Sequence, residues 1–386
     1  VIGTNGELIN KRIGEELQIK YVLDLRDFIG DPIQEKIVHE FGVIAEDPDI
    51  RIVAEAMGGI EPAYTFTKKL LEKGKSVCTS NKELVAARGT ELMEIAEANH
   101  ANYLFEASCG GGIPIIRPLH TCLLANEIDE ISGILNGTTN YMLTKMAREG
   151  SGYEEVLKEA QAMGYAERNP AADVEGYDPC RKIAILASIA FGKFVDYKDI
   201  YTEGITEITA EDFRYAAKMN GSIKLLGSAR RSGDKVYVLV SPVIVWDTDP
   251  LYAVNDVFNA IFVHGNMLGG SMYYGRGAGK LPTASAVAGD VIDMAVHGDD
   301  NIMARWDSEK LELSDIGGSE KRFFVRVKGG TERSAVEECF GPVEYIYADG
   351  VDGEYGFLTG VLPESGYARC AEKLGTVIGR IRVRDI

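Results

Sequence analysis

Short apolar runs alternate with amphipathic segments over residues 1–108. This pattern predicts strands at 18–25, 50–56, 75–79 and 101–107, and helices at 5–16, 33–40, 61–72 and 82–98. Strands that alternate with helices indicate a parallel sheet with helices on both faces. Ligands of such sheets bind beyond the carboxyl ends of the strands. The predicted ends lie at 24–27, 57–59, 79–82 and 108–112.

The pattern changes in the block 109–310. It combines predicted helices at 141–148, 153–163, 179–191 and 283–296 with predicted strands at 128–133, 235–245, 259–264 and 269–274. We interpret this block as an α+β substrate-binding and dimerisation domain whose mixed sheet is covered by helices. The polar stretch 305–320 is interpreted as a linker.

Residues 318–386 form a third predicted domain. Its segments follow the order strand–helix–strand–strand–helix–strand, at 321–328, 332–340, 343–348, 355–361, 365–374 and 377–383. That order is typical of the ferredoxin-like split unit. The predicted fold class is therefore α/β, with a Rossmann-type domain at 1–108, an α+β domain and a ferredoxin-like tail.

The Rossmann-type interpretation has one weak point at its start. A dinucleotide-binding domain opens with a strand and a G-x-G-x-x-G turn, and the sequence shows neither. We expect the first ~15–20 residues of that unit, enough for its first strand and glycine loop, to be missing from this sequence. The alternative is a fold that does not bind a dinucleotide.

The amino-acid composition limits the classes of binding partner and the cellular compartment that we expect for this protein. The net charge of −18 argues against nucleic acid and anionic membranes, because both are bound through Lys and Arg. No apolar run approaches the ~18 residues of a membrane span. The six cysteines have no CxxC spacing and the five histidines are scattered, which indicates reduced thiols in the cytoplasm and no zinc site.

The stretch 160–182 concentrates reactive side chains. Asp178 and Lys182 lie four residues apart, ahead of the apolar run 183–190. An N-cap at Asp178, with Pro179 at the first helical position and an ion pair behind it, explains this spacing without any catalysis. In the functional interpretation, the helix dipole and desolvation both lower the pKa of Lys182 toward the range of a general acid or base.

Other candidate positions also have two interpretations. Upstream carboxylates at Glu167 and Asp173 can hold an ammonium or hydroxyl group, or can be solvated surface charges. Lys82 opens a helix at a strand end, a place suited to anions, or is simply exposed. The three glycines in 106–114 free backbone carbonyls for a hard cation, or make a tight crossover between domains.

Together these motifs resemble the homoserine dehydrogenase family. Within 160–182 the matching residues are Ala160, Gly164, Tyr165, Ala166, Asn169, Pro170, Asp173, Val174, Gly176, Asp178 and Lys182. The resemblance continues, in chain order, through 58–59, 79–82, 106–114, 133–140 and 275–279, and covers residues 1–300. The tail resembles an ACT domain, a small ligand-binding regulatory module.

The resemblance implies NAD(P)-dependent interconversion of L-homoserine and L-aspartate 4-semialdehyde, in threonine and methionine biosynthesis. It implies that Lys182 donates the proton to the aldehyde oxygen and that Asp178 positions the substrate. Glu167 and Asp173 would bind the amino group, and Tyr165 would also contact the substrate. Hydride addition builds negative charge on the aldehyde oxygen, so a nearby ammonium group is what this chemistry needs.

Cofactor and cation contacts follow from the same resemblance. The implied cofactor contacts are Arg26, Gly58, Ser80, Lys82, Gly164 and Gly279. Arg26 occupies the position of a 2′-phosphate contact, which favours NADP over NAD. A monovalent cation such as Na⁺ would bind mostly through main-chain oxygens of Glu106, Cys109, Gly111 and Ile113.

Two questions stay open. The tail has Gly-Gly-Thr-Glu-Arg at 329–333 in place of the Asp-x-Pro-Gly turn usual after the first ACT strand. This departure leaves two roles for the tail open, the binding of an effector such as threonine and the formation of a homodimer or homotetramer. One alternative function is a catalytically inactive amino-acid sensor, which the intact Lys82, Asp178 and Lys182 disfavour. Another is a phosphorylating aspartate-semialdehyde dehydrogenase with Cys109 as nucleophile, although no histidine motif accompanies this cysteine.

Overall fold

The computed structural model describes residues 1–384. Its α-helices are α1 (Ile2–Ile13), α2 (Phe41–Ala45), α3 (Ala63–Glu72), α4 (Lys82–Ala98), α5 (Gly137–Glu149), α6 (Tyr153–Ala162), α7 (Ala171–Val174), α8 (Tyr177–Phe191), α9 (Ala210–Lys218), α10 (Lys280–His297), α11 (Arg333–Phe340) and α12 (Glu364–Leu374). Its strands are β1 (Val22–Leu23), β2 (Ile37–Val38), β3 (Ile52–Glu55), β4 (Ser76–Thr79), β5 (Tyr103–Leu104), β6 (Ile128–Ile134), β7 (Lys193–Phe194), β8 (Tyr201–Thr202), β9 (Gly221–Ser232), β10 (Lys235–Trp246), β11 (Phe258–Gly265), β12 (Gly269–Arg276), β13 (Asp307–Lys310), β14 (Glu320–Lys328), β15 (Glu344–Ile346), β16 (Glu354–Leu358), β17 (Leu362–Pro363) and β18 (Val377–Val383).

The described chain divides into two compact units. The first unit comprises Val1–Leu124, Ser188–Asp196 and Ala278–Lys310, and the second unit comprises residues 125–187, 197–277 and 311 onward. These borders differ from those of the predicted domains, which are 1–108, 109–310 and 318–386. The tail, residues 318–384, belongs to the second unit because its last strand continues that unit's sheet.

The first unit contains the predicted parallel sheet. Its strands follow the order β3–β4–β5, and β1 pairs in parallel with β2. Buried leucines of α3 and α4 contribute to the core of this unit, including Leu71, Leu84 and Leu92. The parallel arrangement brings the carboxyl ends of β3 and β4 to one edge, where residues 57–59 and 79–82 follow the strands.

The helix predicted at 33–40 is wrong. Pro32–Lys36 forms a single 3₁₀ turn, whose cap Asp31 accepts a hydrogen bond from the Ile33 N–H. The next two residues form β2 because β-branched Ile37 and Val38 favour the extended conformation and find a partner in β1. The strand predicted at 18–25 is correspondingly reduced to the two residues of β1.

A mixed sheet is the centre of the second unit. Its main path is β12–β11–β6–β9–β10–β18–β14–β16–β15, and β8 pairs in parallel with β10. The sequence pattern missed α9 and the twelve-residue strand β9. Strand β9 was missed because the charged Lys224 interrupts its apolar run. In the structure the Lys224 side chain is buried and donates to the main-chain oxygen of Val254 at 2.6 Å.

The tail has the predicted strand–helix–strand–strand–helix–strand order, with the short β17 added before α12. Helices and sheet share a core built from Phe323, Val325, Val327, Val336, Tyr355, Phe357 and Tyr367. The tail is continuous with the rest of the unit, since β18 pairs in parallel with β10 at Val243 and Ile244. The predicted linker at 305–320 contains regular secondary structure, because strand β13 lies within it and pairs with β7.

Candidate active site

Gly176 determines how the chain enters α8. It has a φ of 84°, and a Cβ at this position would lie 3.1 Å from the Thr202 Cγ2 atom. Because only glycine fits this turn, α7 can be followed closely by α8. The predicted N-cap role of Asp178 is wrong, since α8 already begins at Tyr177 and places Asp178 in its first turn.

Asp178 and Lys182 form a buried ion pair. The Lys182 Nζ atom donates to Asp178 Oδ2 at 2.7 Å and to the main-chain oxygen of Leu135 at 2.7 Å. The two residues are 5% and 9% exposed, so water competes little for this pair. A desolvated ammonium held at fixed distance from a carboxylate can stabilise negative charge and transfer a proton.

Asn136 connects this pair to a second carboxylate. It caps α5, where its Oδ1 accepts from the Thr139 N–H at 2.9 Å. Its Nδ2 donates to Asp173 Oδ1 at 2.6 Å and to Asp178 Oδ2 at 2.9 Å. Sequence reasoning did not single out Asn136, although an Asn-Gly-Thr sequence before a helix is a recognisable N-cap signal.

The remaining predicted substrate positions lie on the loop between α6 and α7. Tyr165 is exposed, its ring meets Tyr141 edge to face at 4.9 Å, and its main-chain oxygen accepts from the Thr138 hydroxyl at 2.8 Å. Gly164 and Glu167 are exposed on the same loop. The structure therefore links Asp173 to the Asp178–Lys182 pair through Asn136, and places the other three positions on a neighbouring exposed segment.

In the first unit, polar side chains join the ends of β3 and β4. The carboxylate of Glu55 accepts a hydrogen bond from the Thr79 hydroxyl, and burial raises the pKa of this carboxyl group. Asn81 caps α4 by accepting from the Leu84 N–H at 3.1 Å, and its Nδ2 donates to the main-chain oxygen of Gly59 at 2.6 Å. Sequence reasoning missed both Glu55 and Asn81 as organisers of this edge.

The predicted cofactor positions Gly58, Ser80 and Lys82 lie at this same edge. Nothing lies within 4 Å of the place where a Cβ of Gly58 would stand, so its backbone is open to close approach by a ligand. Lys82 is the first residue of the seventeen-residue α4, whose N-terminus favours anionic groups. Gly279 caps α10 with a φ of 125°.

Arg26 lies just beyond β1 and is exposed. Its guanidinium binds Asp24 in two-point fashion, with Nε–Oδ1 at 3.0 Å and Nη2–Oδ2 at 2.9 Å. These hydrogen bonds lower the pKa of Asp24 to about 2. Asp24 and Arg26 are thus present as one ion pair just beyond β1.

Glu106 has a structural use that the sequence did not reveal. Its carboxylate accepts from the backbone N–H groups of Ile115, Ile116 and Arg117, at 2.6, 2.9 and 2.8 Å. Its own N–H donates to Asp290, whose pKa burial raises to about 7 against the opposing charge of Arg117. The side chain of Glu106 is therefore held in place by backbone donors.

The glycine segment after Glu106 forms a tight turn. Gly110 and Gly111 have φ values of 69° and 57°, and the Ile113 N–H donates to the Gly110 oxygen at 2.9 Å. Residues 1–384 hold no cluster of three or more His, Cys, Asp or Glu side chains arranged for a metal ion.

Fold and site define a class of protein. A parallel α/β sheet with polar strand ends occupies one unit, and a buried lysine–carboxylate pair occupies the other, as in two-part α/β proteins of the dinucleotide-binding type. The chain belongs to the homoserine dehydrogenase family. The family model "Homoserine dehydrogenase" matches residues 114–292, and the model "Homoserine dehydrogenase, NAD binding domain" matches residues 16–106.

Individual relatives agree with the family models. A homoserine dehydrogenase of Bacillus subtilis is 43% identical over 284 residues, which are 74% of this chain but only 64% of that protein. The crystal structure of a homoserine dehydrogenase from Thiobacillus denitrificans superposes with a TM-score of 0.90 at 32% identity, covering 100% of this chain and 94% of that one. A hyperthermophilic archaeal homoserine dehydrogenase in complex with NADPH gives a TM-score of 0.62 at 28% identity, covering 76% and 95%.

Of the helices within the described part of the chain, none has the combined length and apolar character that crossing a membrane requires.

Proposed function

We propose that this protein interconverts L-homoserine and L-aspartate 4-semialdehyde with NAD(P). The observation that carries the proposal is the buried Lys182–Asp178 pair, held by Leu135 and Asn136 in a chain of the homoserine dehydrogenase family. A buried ammonium is the group that a developing alkoxide requires, and its geometry is fixed before any substrate arrives.

In the direction of reduction, Lys182 donates a proton to the aldehyde oxygen as negative charge develops there. Asp178 holds the Lys182 ammonium in place through a hydrogen bond of 2.7 Å. In the direction of oxidation, neutral Lys182 takes the hydroxyl proton of homoserine. Bound NAD(P)H or NAD(P)⁺ would supply or accept the hydride at the carbon atom.

The amino group of homoserine is proposed to bind Asp173, with Glu167 and Tyr165 beside it. The hydrogen bond from Asn136 to Asp173 supports this assignment, because it fixes one carboxylate close to the catalytic pair. A carboxylate in a fixed position binds an ammonium group with less loss of side-chain entropy than a mobile surface charge does.

The competing functions predict different outcomes when the protein is mixed with substrate and cofactor. An inactive sensor would bind an amino acid without changing the cofactor, and a phosphorylating semialdehyde dehydrogenase would need phosphate and a reactive Cys109, which is fully buried. We expect reduced nicotinamide to form with homoserine in the absence of phosphate. Absorbance of the reduced nicotinamide, with homoserine or with semialdehyde plus phosphate as substrate, separates all three functions.

NADP is the proposed preferred cofactor. Replacing Arg26 with alanine is expected to raise the KM for NADP⁺ about 10-fold or more, because a charge-assisted contact to the 2′-phosphate is lost. The KM for NAD⁺ in the same variant is the control and should stay within about twofold of its original value. An unchanged KM for NADP⁺ would remove Arg26 from the phosphate site.

A monovalent cation is proposed at the turn formed by Glu106, Cys109, Gly111 and Ile113. Two glycines with positive φ and the engagement of the Glu106 carboxylate by backbone N–H groups support ligation by main-chain oxygens. A thermal shift in Na⁺ relative to choline at equal ionic strength tests this assignment.

The tail is proposed to bind an amino-acid effector, with threonine as the first ligand to test. Its ferredoxin-like order supports this, together with a groove of about 640 Å³ lined by Lys218, Trp246, Arg322, Tyr345, Tyr347 and Asp349. Cationic and acidic side chains on one groove suit the two charges of a free amino acid. Calorimetric titration with threonine measures the binding.

A homodimer or homotetramer is the proposed assembly. Within the described chain, β12 is an edge strand of the large sheet, and Tyr274 and Met272 on it are 53% and 41% exposed, with Met267 before it 81% exposed. An exposed apolar edge strand is typical of an association surface. Light scattering determines the oligomeric state.

A further inference from the structure

Two arginines of the tail share one carboxylate of the preceding chain. Glu203 Oε2 accepts from Arg380 Nη2 at 2.9 Å and from Arg382 Nη1 at 2.8 Å. Tyr201 donates its hydroxyl to the same oxygen at 3.0 Å. Arg382 is 1% exposed and is also bound through its Nε by Glu364 of α12.

Glu203 keeps its charge in this environment. Burial alone would raise its pKa, but the guanidinium groups of Arg382 and Arg380 hold the pKa below its ordinary value. The ion pairs are therefore intact over the neutral pH range. The side chain of Arg382 is 2% exposed, so this guanidinium cannot lose Glu203 as a partner without a large desolvation cost.

The residue after Glu203 is packed against the active-site segment. A Cβ on Gly204 would lie 2.1 Å from the Val174 oxygen and 2.6 Å from the Glu175 Cα, so the two backbones are in direct contact. The Ile205 N–H donates to the same Val174 oxygen at 2.8 Å. A shift of residues 203–205 would therefore displace 174–176.

Segment 174–176 separates the two carboxylates of the site. Asp173 precedes it and Asp178 follows it by two residues, and Asn136 bridges both carboxylates. An unbroken series of contacts thus leads from Arg380 and Arg382 to the substrate site. Every member of this series belongs to the second unit.

We propose that Glu203 is a positioning residue through which the tail fixes Asp173 for substrate binding. The inference rests on the proposed function, because it assigns Asp173 to the amino group of homoserine. A displacement of about 1 Å at such a group is enough to change catalysis ~10²-fold, so a distant ion pair can have a measurable effect. The tail is accordingly a part of the substrate site's support as well as a candidate effector domain.

The chain offers a matched control. Arg326 of the tail binds Asp212 and Glu354, each at 2.8 Å, and is itself buried. This network has the same chemistry and also joins the tail to the preceding chain. The Arg326 network contacts α9 through Asp212, whereas the residues that follow Glu203 contact the segment 174–176.

The test compares Glu203→Gln with Glu354→Gln in the purified protein. We expect Glu203→Gln to raise the KM for homoserine about 10-fold, with the KM for NADP⁺ changed by less than about twofold. Both variants are expected to lower the Tm by similar amounts. Glu354→Gln should nevertheless leave the KM values for homoserine and for NADP⁺ unchanged. A purely structural role for Glu203 would lower the Tm in both variants without this selective change in KM.

Arg380→Lys is a second variant for the case in which Glu203→Gln does not fold. The side chain of Arg380 is 22% exposed, and lysine keeps its charge while losing the two-nitrogen contact. We expect the same selective rise in the KM for homoserine, at a smaller size. A KM for homoserine that stays equal to that of the unmodified protein in both Glu203→Gln and Arg380→Lys would overturn the inference, whereas an unmodified protein inactive on homoserine would overturn the proposed function itself.

Discussion

Replacing Lys182 with alanine is expected to lower turnover by ~10²–10⁴-fold, the range for loss of a general acid. The variant loses both the proton and the positive charge that Lys182 presents beside Asp178. Turnover is measured in both directions from the absorbance of the reduced nicotinamide, on protein shown to be folded by circular dichroism.

Arg181→Ala is the matched control, because Arg181 is the preceding residue of α8 and donates to the Tyr177 oxygen. Its turnover should remain near that of the unmodified protein. The Lys182 variant is also expected to be less stable, by ~3–5 kcal/mol, because Asp178 stays buried without its ion-pair partner. Turnover within about threefold of the original would exclude Lys182 as the proton donor.

Replacing Glu106 with alanine is expected to lower the free energy of unfolding by at least ~3 kcal/mol. Three backbone N–H groups, those of Ile115, Ile116 and Arg117, lose their acceptor inside the protein. Urea unfolding, followed by circular dichroism, measures the change. Glu106→Gln keeps one acceptor oxygen, so its loss should be smaller.

Glu72→Ala is the control for this variant, since Glu72 is exposed at the end of α3. Its free energy of unfolding should change by less than ~0.5 kcal/mol. A loss below ~1 kcal/mol in Glu106→Ala would show that the three N–H groups find other acceptors, and the structural role of this carboxylate would be wrong.

Elements with strong local signals could be predicted from the sequence. Helix α4 has the predicted bounds, 82–98, because Asn81 caps it and seventeen residues supply a sustained helical pattern. The parallel strands β3 and β4 were likewise predicted from their apolar runs. Family membership, inferred from the motifs of 160–182, is confirmed by the family models.

Features that depend on distant residues could not be predicted. Strand β2 exists because β1 pairs with it, and two residues carry no periodicity of their own. The Asn136 bridge joins residues 37 and 42 positions apart, and the Arg382–Glu203 pair joins residues 179 positions apart. Local pattern contains no information about such partners.

The tail illustrates the same limit. Arginines at 380, 382 and 384 alternate along β18 and its end, a pattern typical of a strand with a solvated face. In the structure these arginines bind Glu203, Glu364, Glu130 and Asp249, and the strand lies inside a continuous sheet. The burial of these arginines is compensated by ion pairs with carboxylates that are distant in the sequence.

The most direct test of the proposed function follows the hydrogen atom that is transferred. The protein is supplied with NADP⁺ and L-homoserine deuterated at C4, and the reduced cofactor is analysed by mass spectrometry. We predict deuterated NADPH and aspartate 4-semialdehyde in equal amounts, with both products greatly reduced in Lys182→Ala. NADPH without deuterium, or no homoserine-dependent reduction at all, would contradict the assignment of this chain as a homoserine-oxidising enzyme.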